Sequence, residues 1–468
     1  MFALLLALSG VEGLALQEPL VLTEDRVLRG SDVLDIEGRP IEGGGFRIRT
    51  EGRWTGRLRL SGCELRGLGG RAEFGPDDRL RGESHALDLH ASGEASIAIE
   101  TCVFSASSSI RLRVDERAAA AVVGNEIREN SLVAVDKVRG RSLPAFTATG
   151  TSSAPQRFER NRIWRSHAVF DAPGWRVEGN LIVGLRAGLF ATGKGTEVRG
   201  NYVHVLMPRT PEYPWWSQVA TFTTARGALA EHNVIRDGEW IVQFVEGEFR
   251  HNVICDINDH NLLRNGSTGR IHHNIFFAGK PEHPPGQQSG CVFVVYPPKD
   301  GETGVEIFNN VFDANDVLNV PGVEVCRGGL VRSLRNNAFV RFPMKEKYVR
   351  HPLWMLSPPW DEAPSDSPPA RLAYADYNLF PRGERIYGLG VVEGKAGLHD
   401  RRADPGFRGP LPSEFPFRDD DIKAGRVTVP EILARFREIY APGEGSPLRD
   451  AGDPADGPGT DIGAVEGK

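Results

Sequence analysis

The sequence is short of cysteine, of net charge and of long apolar runs, and each shortage closes off a class of protein. Five cysteines in 468 residues are too few, and odd in number, for a disulfide scaffold. A formal charge of −6, from 56 basic and 62 acidic side chains, is too mild to imply a nucleic-acid partner. No apolar run reaches the ~18 residues a membrane span requires. The opening MFALLLALSGVEGLA lacks a basic n-region, yet it has a short apolar run and small residues at Gly13 and Ala15. It reads as an export signal over residues 1–15, and a secreted, periplasmic or cell-surface protein is expected. What the chain has in quantity is glycine (54) and proline (32), as a fold with many corners requires.

Helical periodicity is also missing from most of the chain, and a shorter repeat stands in its place. One phrase occurs three times, as LAEHNVI at 229–235, EFRHNVI at 248–254 and RIHHNIF at 270–276. Its asparagines recur at Asn125, Asn161, Asn180, Asn201, Asn233, Asn252, Asn274, Asn310, Asn337 and Asn378. An apolar residue stands three places before each and two places after each, from Val122 and Ile127 to Ala375 and Phe380. A repeat near twenty residues, rich in β-branched and aromatic side chains, predicts a solenoid with short strands as rungs. An asparagine at a sharp corner can bond the amides of the rungs above and below. The fold expected is a single-stranded parallel β-helix over residues 18–385, right-handed by the rule for parallel crossovers. Residues 386–468 form a capping region with one amphipathic helix at 429–440 (VPEILARFREIY).

Smaller features follow from that frame. Cys63 and Cys102 take the asparagine's place in LSGCEL and IETCVF. As neighbouring rungs they would stack ~4.8 Å apart, within disulfide range, or simply fill a corner as buried thiols. Cys255, Cys291 and Cys326 have no evident partners. Pairs such as Arg157/Glu159, Arg176/Glu178 and Glu197/Arg199 alternate in sign and read as a solvated ion-pair lattice over one sheet. His232, His251 and His273 precede the asparagines. Rungs ~4.8 Å apart let at most two of them share an ion, so inward-facing corner histidines are expected.

Function is sought where the insertions leave room. Long segments at 206–218, 278–290 and 341–370 follow the strand after an asparagine, so they should rise from one corner and flank a cleft. Trp215 and Trp216 in the first segment would stack on sugar or pin their loop; Trp354 and Trp360 lie in the last. On the loop-poor rungs between them stand Asp237, Glu239, Gln243, Glu246, Asp256, Asp259, His260, Arg264 and Asn265. Asp237 and Asp256 lie four residues past their asparagines and should stack. They would then share a cation, share a proton, or act as paired carboxylates of a glycosidase, unless they are solvated turn residues.

The stretch from Asp237 to Asn274 resembles right-handed β-helix polysaccharide lyases of the alginate lyase and chondroitinase B type. That family has an Arg-His-Gly motif with one asparagine twelve residues before the arginine and another ten after it. Asn252, Arg264 and Asn274 keep that spacing, and RNG at 264–266 stands where the motif would be. Asp237-Gly-Glu239 looks like the family's pair of acidic calcium ligands. The family's lysine base has no counterpart in QFVE at 243–246, and its histidine is Asn265 here. The resemblance implies β-elimination, with an arginine working beside the base and calcium neutralising a uronate carboxylate so that the proton beside it becomes acidic. Its base would have to come from Glu246, His260, Tyr213, Lys280 or Lys299.

The tail SPLRDAGDPADGPGTDIGAVE resembles a terminal module of secreted bacterial β-helix proteins and is expected to cap the open end of the coil. Its aspartates Asp450, Asp453, Asp456 and Asp461 would cap turns or hold calcium.

These readings name Arg264, His260 and Glu246 as candidate catalytic residues. Trp215, Trp216, Asn265 and Gln243 are the candidate substrate contacts, and Asp237, Glu239 and Asp256 the candidate Ca2+ ligands. A monomer that binds and cleaves an acidic polysaccharide is expected. The alternatives are a surface or adhesive solenoid without catalysis, a glycoside hydrolase with paired carboxylates, and a uronate isomerase or epimerase.

Overall fold

The ten asparagines stand in one file. In the computed structural model each Asn Nδ2 donates to the Oδ1 of the next asparagine at 2.8–3.1 Å. The same oxygen accepts the preceding asparagine's backbone N–H at 2.8–3.1 Å. A corner breaks the strand ladder and strands a buried N–H, and one side-chain oxygen per rung restores its partner. The file starts where the Cys102 N–H donates to Asn125 Oδ1 and ends where the Asn378 N–H donates to Asp400 Oδ1.

The structure describes residues 18–467 except 71–72, 75–79, 82–84, 129–143, 185–186, 207–219, 225–226, 238–239, 245–246, 257–262, 265–268, 279–292, 296–303, 317–321, 326–327, 343–352, 356–369, 381–390 and 393–396. Its strands form three long parallel sheets, and the chain visits them in a fixed order, one strand of each per turn. Sheet I has ten strands, from Arg26–Arg29 to Leu263–Arg264; sheet II has fifteen and sheet III thirteen. This is a parallel β-helix. A three-stranded sheet (Phe293–Val295, Val323–Val325, Leu353–Met355) takes the place of sheet I in the later turns. The coil continues past residue 385, through Val391–Val392 and a bridge between Leu379 and Arg401.

The asparagine file runs along the corner between sheets II and III. The residues three before and two after each asparagine are buried, as expected, from Val122 (0%) to Phe380 (1%). Phe276, Phe312, Phe339 and Phe380 stack ring on ring at 4.8–4.9 Å inside the coil. The residue just before the asparagine turns the chain in the left-handed region, at φ 68° for Gly124 and 58°, 55° and 56° for His232, His251 and His273. Those histidines therefore do not face inward. They sit partly buried outside the corner, with ring centroids 5.2 and 4.9 Å apart.

The three outer faces differ. Sheet II carries the ion-pair lattice, for example Arg250 with Glu231 at 2.7 Å and Arg332 with Glu306 at 2.7 Å. Sheet III starts out polar, with Glu64, Arg66, Glu126 and Arg162, and turns apolar from Leu181 onward. Tyr202, Val234, Val253, Ile275, Phe277 and Val340 then form a buried outer layer against Ile422, Ile432, Phe436 and Tyr440. The C-terminal region thus lies along the flank of sheet III rather than over the end of the coil alone. An apolar outer face leaves it no better place to bury its own stripe. That stripe lies on α2 (Val429–Tyr440), at Ile432, Leu433, Phe436, Ile439 and Tyr440. Thr428 starts the helix by donating its N–H to Glu431 Oε2 at 2.7 Å.

The tail's aspartates fasten turns. Asp453 accepts the Ala455 N–H and the Tyr374 hydroxyl, and Asp456 holds Arg335 through two bonds of 2.7 Å. Asp461 accepts the Asp450 N–H at 2.8 Å. Sheet I faces outward without such a cover among the described residues.

Candidate functional site

Sheet I owes its character to a single register row. Asp88 pairs with Arg111, Arg111 with Thr147, Thr147 with Val169 and Val169 with Phe190. The row continues through Thr223 and Gln243 to Arg264. Its early members are charged and mutually paired, with Arg111 bonded to Asp88 at 2.8 and 2.9 Å. From Thr147 to Gln243 it carries hydroxyls, an amide, a valine and a phenylalanine, and no charge. Thr147, Val169 and Phe190 are partly exposed. Arg264 then closes the row, one strand spacing (~4.8 Å) from Gln243.

Chain order puts the insertions beside this row. The segments 129–143, 207–219, 257–262, 279–292 and 343–352 each link a strand of sheet III to a strand of sheet I or of its continuation. The expected insertion at 341–370 is in fact two segments, because Leu353–Met355, which includes Trp354, is a strand paired with Val323–Val325. Trp215, Trp216, Tyr213, Asp259, His260 and Lys280 fall in such segments and lie outside the described residues, as do Glu239, Glu246, Asn265, Lys299 and Trp360. In sequence Glu246 belongs to the link that leaves the Gln243 strand, and His260 to the link that enters the Arg264 strand.

Asp237 and Asp256 stand one rung apart, as expected, both with left-handed φ (54° and 61°). Their carboxylates are already engaged. Arg236 holds Asp256 Oδ2 from Nε at 2.8 Å and from Nη2 at 2.7 Å. The same guanidinium pairs with Asp419, donates to the Tyr202 hydroxyl at 3.2 Å and lies 3.8 Å from the Phe415 ring centroid. His204 Nε2 is 2.7 Å from Asp237 Oδ2, and its Nδ1 faces Asp419 Oδ2 at 3.6 Å. Burial pushes the Asp256 carboxyl upward against the pull of Arg236. Burial also opposes the charge on Arg236, yet Asp256, Tyr202 and Asp419 together hold its pKa above the ordinary value.

Of the three expected calcium ligands two are described, and Asp237 and Asp256 are held by His204 and Arg236. A guanidinium supplies the positive charge at Asp256, and among the described residues no group of three or more His, Cys, Asp or Glu is placed to hold a metal ion. The box instead binds the C-terminal region to the coil through α1 (Asp419–Lys423). A second clamp repeats the arrangement two rungs past Asn274. There Asp313 takes Arg341 at 2.7 and 2.6 Å and the Tyr440 hydroxyl at 2.6 Å.

No family model matches the chain, and no curated protein matches it. Among solved structures it is similar to the crystal structure of the periplasmic alginate epimerase AlgG. That match has 8% identity over 81% of this chain and 78% of that one, with a TM-score of 0.34. No helix among the described residues is long and apolar enough to cross a membrane.

The structure thus brings Gln243 and Arg264 together on sheet I and sends Asp237 and Asp256 to a different corner, beneath the C-terminal region. Reading the sequence for function misses Arg236, His204 and Asp419, although a signal for two of them is there. The third residue after one asparagine and the fourth after the next meet diagonally: His204 with Asp237, Arg236 with Asp256, Asp313 with Arg341. Where that diagonal is apolar (Cys255 and Ala278, Phe277 and Ala314) no clamp forms. The sheet I row has no such signal, because links of unequal length separate its strands from the asparagines.

Proposed function

We propose that this protein binds an acidic polysaccharide along the outer face of sheet I and acts on it beside Arg264. The observation that carries the reading is the register row from Thr147 to Arg264. A glycan laid across the strands advances by about one sugar per rung, since rungs stack ~4.8 Å apart. Hydroxyls, an amide and partly exposed apolar side chains suit neutral sugar faces and hydroxyls, and an arginine at the end of the row suits a carboxylate. The other two faces are less suited, one being a self-paired charge lattice and the other covered by the C-terminal region.

The chemistry that fits is removal of the proton next to a uronate carboxylate. A guanidinium bonded to that carboxylate stabilises the charge that develops on it as the proton leaves. The base would come from Glu246 or His260, whose links adjoin the two ends of the Gln243 and Arg264 strands. Expulsion of the neighbouring glycosidic oxygen then gives cleavage by β-elimination, and return of a proton on the other side of the ring would give epimerisation.

The test is incubation of the purified chain with a panel of uronic and neutral polysaccharides. Ultraviolet absorbance of an unsaturated uronate is the expected product signal, with retention on uronate-bearing glycans alone. New reducing ends without that absorbance would mean hydrolysis. Retention with no change in the glycan would mean a binding solenoid, and no retention on any glycan would overturn the proposal.

A further inference from the structure

The asparagine file has two cysteine members at its start. Cys63 and Cys102 hold the corner position in the two rungs before Asn125. The strands that follow them pair Glu64 with Val103, and the Val103 N–H donates to the Cys63 carbonyl at 2.9 Å. Their Cα atoms are therefore one strand spacing apart, ~4.8 Å, inside the ~4.4–6.8 Å range that a disulfide spans. Both side chains are buried (1% and 0% exposed), and the two thiols interact directly. Cys63 Sγ also lies 3.4 Å from the carbonyls of Ile36 and Ser61, and Cys102 Sγ 3.3 Å from that of Glu100. In this structure both are free thiols.

What lies between them gives the pair a use. After Glu64–Arg66 the chain leaves the coil, forms the short antiparallel pair Glu73–Phe74 and Leu80–Arg81, and returns at Leu87–Ala91. This excursion interrupts the coil between its second and third rungs, and its length adds to the entropy cost of closing that turn. A bond from Cys63 to Cys102 would close the segment 64–101 at its base.

We propose that Cys63 and Cys102 form an inter-rung disulfide by exchange with a small disulfide oxidant. The Cys63 thiolate attacks the oxidant's S–S bond, forms a mixed disulfide and releases one thiol. The Cys102 sulfur, giving up its proton, then attacks the Cys63 sulfur and releases the second. Two protein thiols are oxidised and one external disulfide is reduced. Contact with Cys102 lowers the Cys63 pKa to about 7, while that same contact and burial raise Cys102, so Cys63 is the first nucleophile. Burial means that the exchange takes place before these rungs close over the core, or in a local opening of them.

The experiment is refolding of the full chain with oxidised glutathione or with dithiothreitol, then alkylation under denaturing conditions and peptide mapping by mass spectrometry. The expected results are a Cys63–Cys102 cross-linked peptide in the oxidised sample alone and a thermal midpoint several degrees higher than in the reduced one. Cys63→Asn and Cys102→Asn install the residue that the later rungs use, so folding should persist while the redox dependence of the midpoint disappears. Full alkylation of both cysteines after oxidative refolding to the native state would overturn the proposal. So would a cross-link of either to Cys255, Cys291 or Cys326, or a midpoint that falls on oxidation.

Discussion

Asn233 and Asn252 are joined twice, since the backbone N–H and the Nδ2 of Asn233 both donate to Asn252 Oδ1 at 2.9 Å. Asn252 Nδ2 in turn donates to the Ala230 carbonyl and to Asn274 Oδ1, both at 3.0 Å, so one buried amide meets four groups. Asn252→Leu removes all of these partners at a site that water does not reach. Each buried polar group left unpaired costs ~1–3 kcal/mol, and a loss of about 3 kcal/mol or more is expected. Asn252→Asp keeps the acceptor and should lose less. Denaturant midpoints of the two variants check the ranking, and equal values would mean that the amide file is not what holds the corner.

Arg236 sets the second expectation. Arg236→Met strands Asp256 beneath the C-terminal region, and breaking one side of a buried ion pair costs ~3–5 kcal/mol. Because Asp419 loses the same partner, that region should become the first site of limited proteolysis. The double variant Arg236→Met, Asp256→Leu should recover most of the resistance. Chelator should leave the wild-type midpoint unchanged if Arg236 alone neutralises Asp256, and a chelator-sensitive midpoint would support the calcium reading.

How much of this was legible from residues alone depended on whether a feature kept a constant offset from the asparagine. The file itself, the buried residues at three before and two after, and α2 all keep such an offset or a helical period, and the sequence reading finds them. The flank docking of the C-terminal region was also written there, as the change from Glu126 and Arg162 to Val234, Val253 and Ile275. It went unread because attention to the inner residue of each triplet hides its outer neighbours. Strand alternation predicts inward histidines, but His232 and His251 sit in a left-handed turn where alternation does not hold. The partnership of Gln243 and Arg264 could not be read at all, since a pairing across links of unequal length is set by how the whole coil closes.

Three histidines contribute to the acid side of the stability profile. Burial lowers His167 and His273 to about 4 and His251 to about 3, from an ordinary 6.5. Folded pKa values below the unfolded one mean that the unfolded chain binds more protons between those limits. Stability is therefore complete above about pH 6.5 and is lost as the pH falls from there toward 4. Each such proton contributes a slope of up to ~1.4 kcal/mol per pH unit, most fully for His167, which is 7% exposed. His167→Gln should flatten the profile over pH 4.5–6 by about that slope. Unfolding midpoints in matched ionic strength check it, and a profile unchanged by the substitution would assign the acid sensitivity elsewhere.

Arg264 is where the proposed function is most exposed to test. It ends the register row that begins, among the uncharged members, at Thr147, and it follows Gln243 by one strand spacing. Arg111 belongs to the same row but spends its guanidinium on Asp88. The two arginines hold positions in the same register row, which makes each the control for the other. Lysine keeps the charge of arginine and loses its planar fork. If Arg264 holds a uronate carboxylate bidentately, Arg264→Lys forfeits a charge-assisted hydrogen bond of ~1.5–3 kcal/mol, or about tenfold or more in affinity or turnover. Its thermal midpoint should stay where it was. Arg111→Lys should leave glycan binding intact, because that side chain is already paired within the sheet. Uronate-polysaccharide retention and product release, measured for both variants beside the wild type, give the comparison. Equal losses in the two variants would point to general charge on sheet I, and no loss in Arg264→Lys would move the binding site off the row.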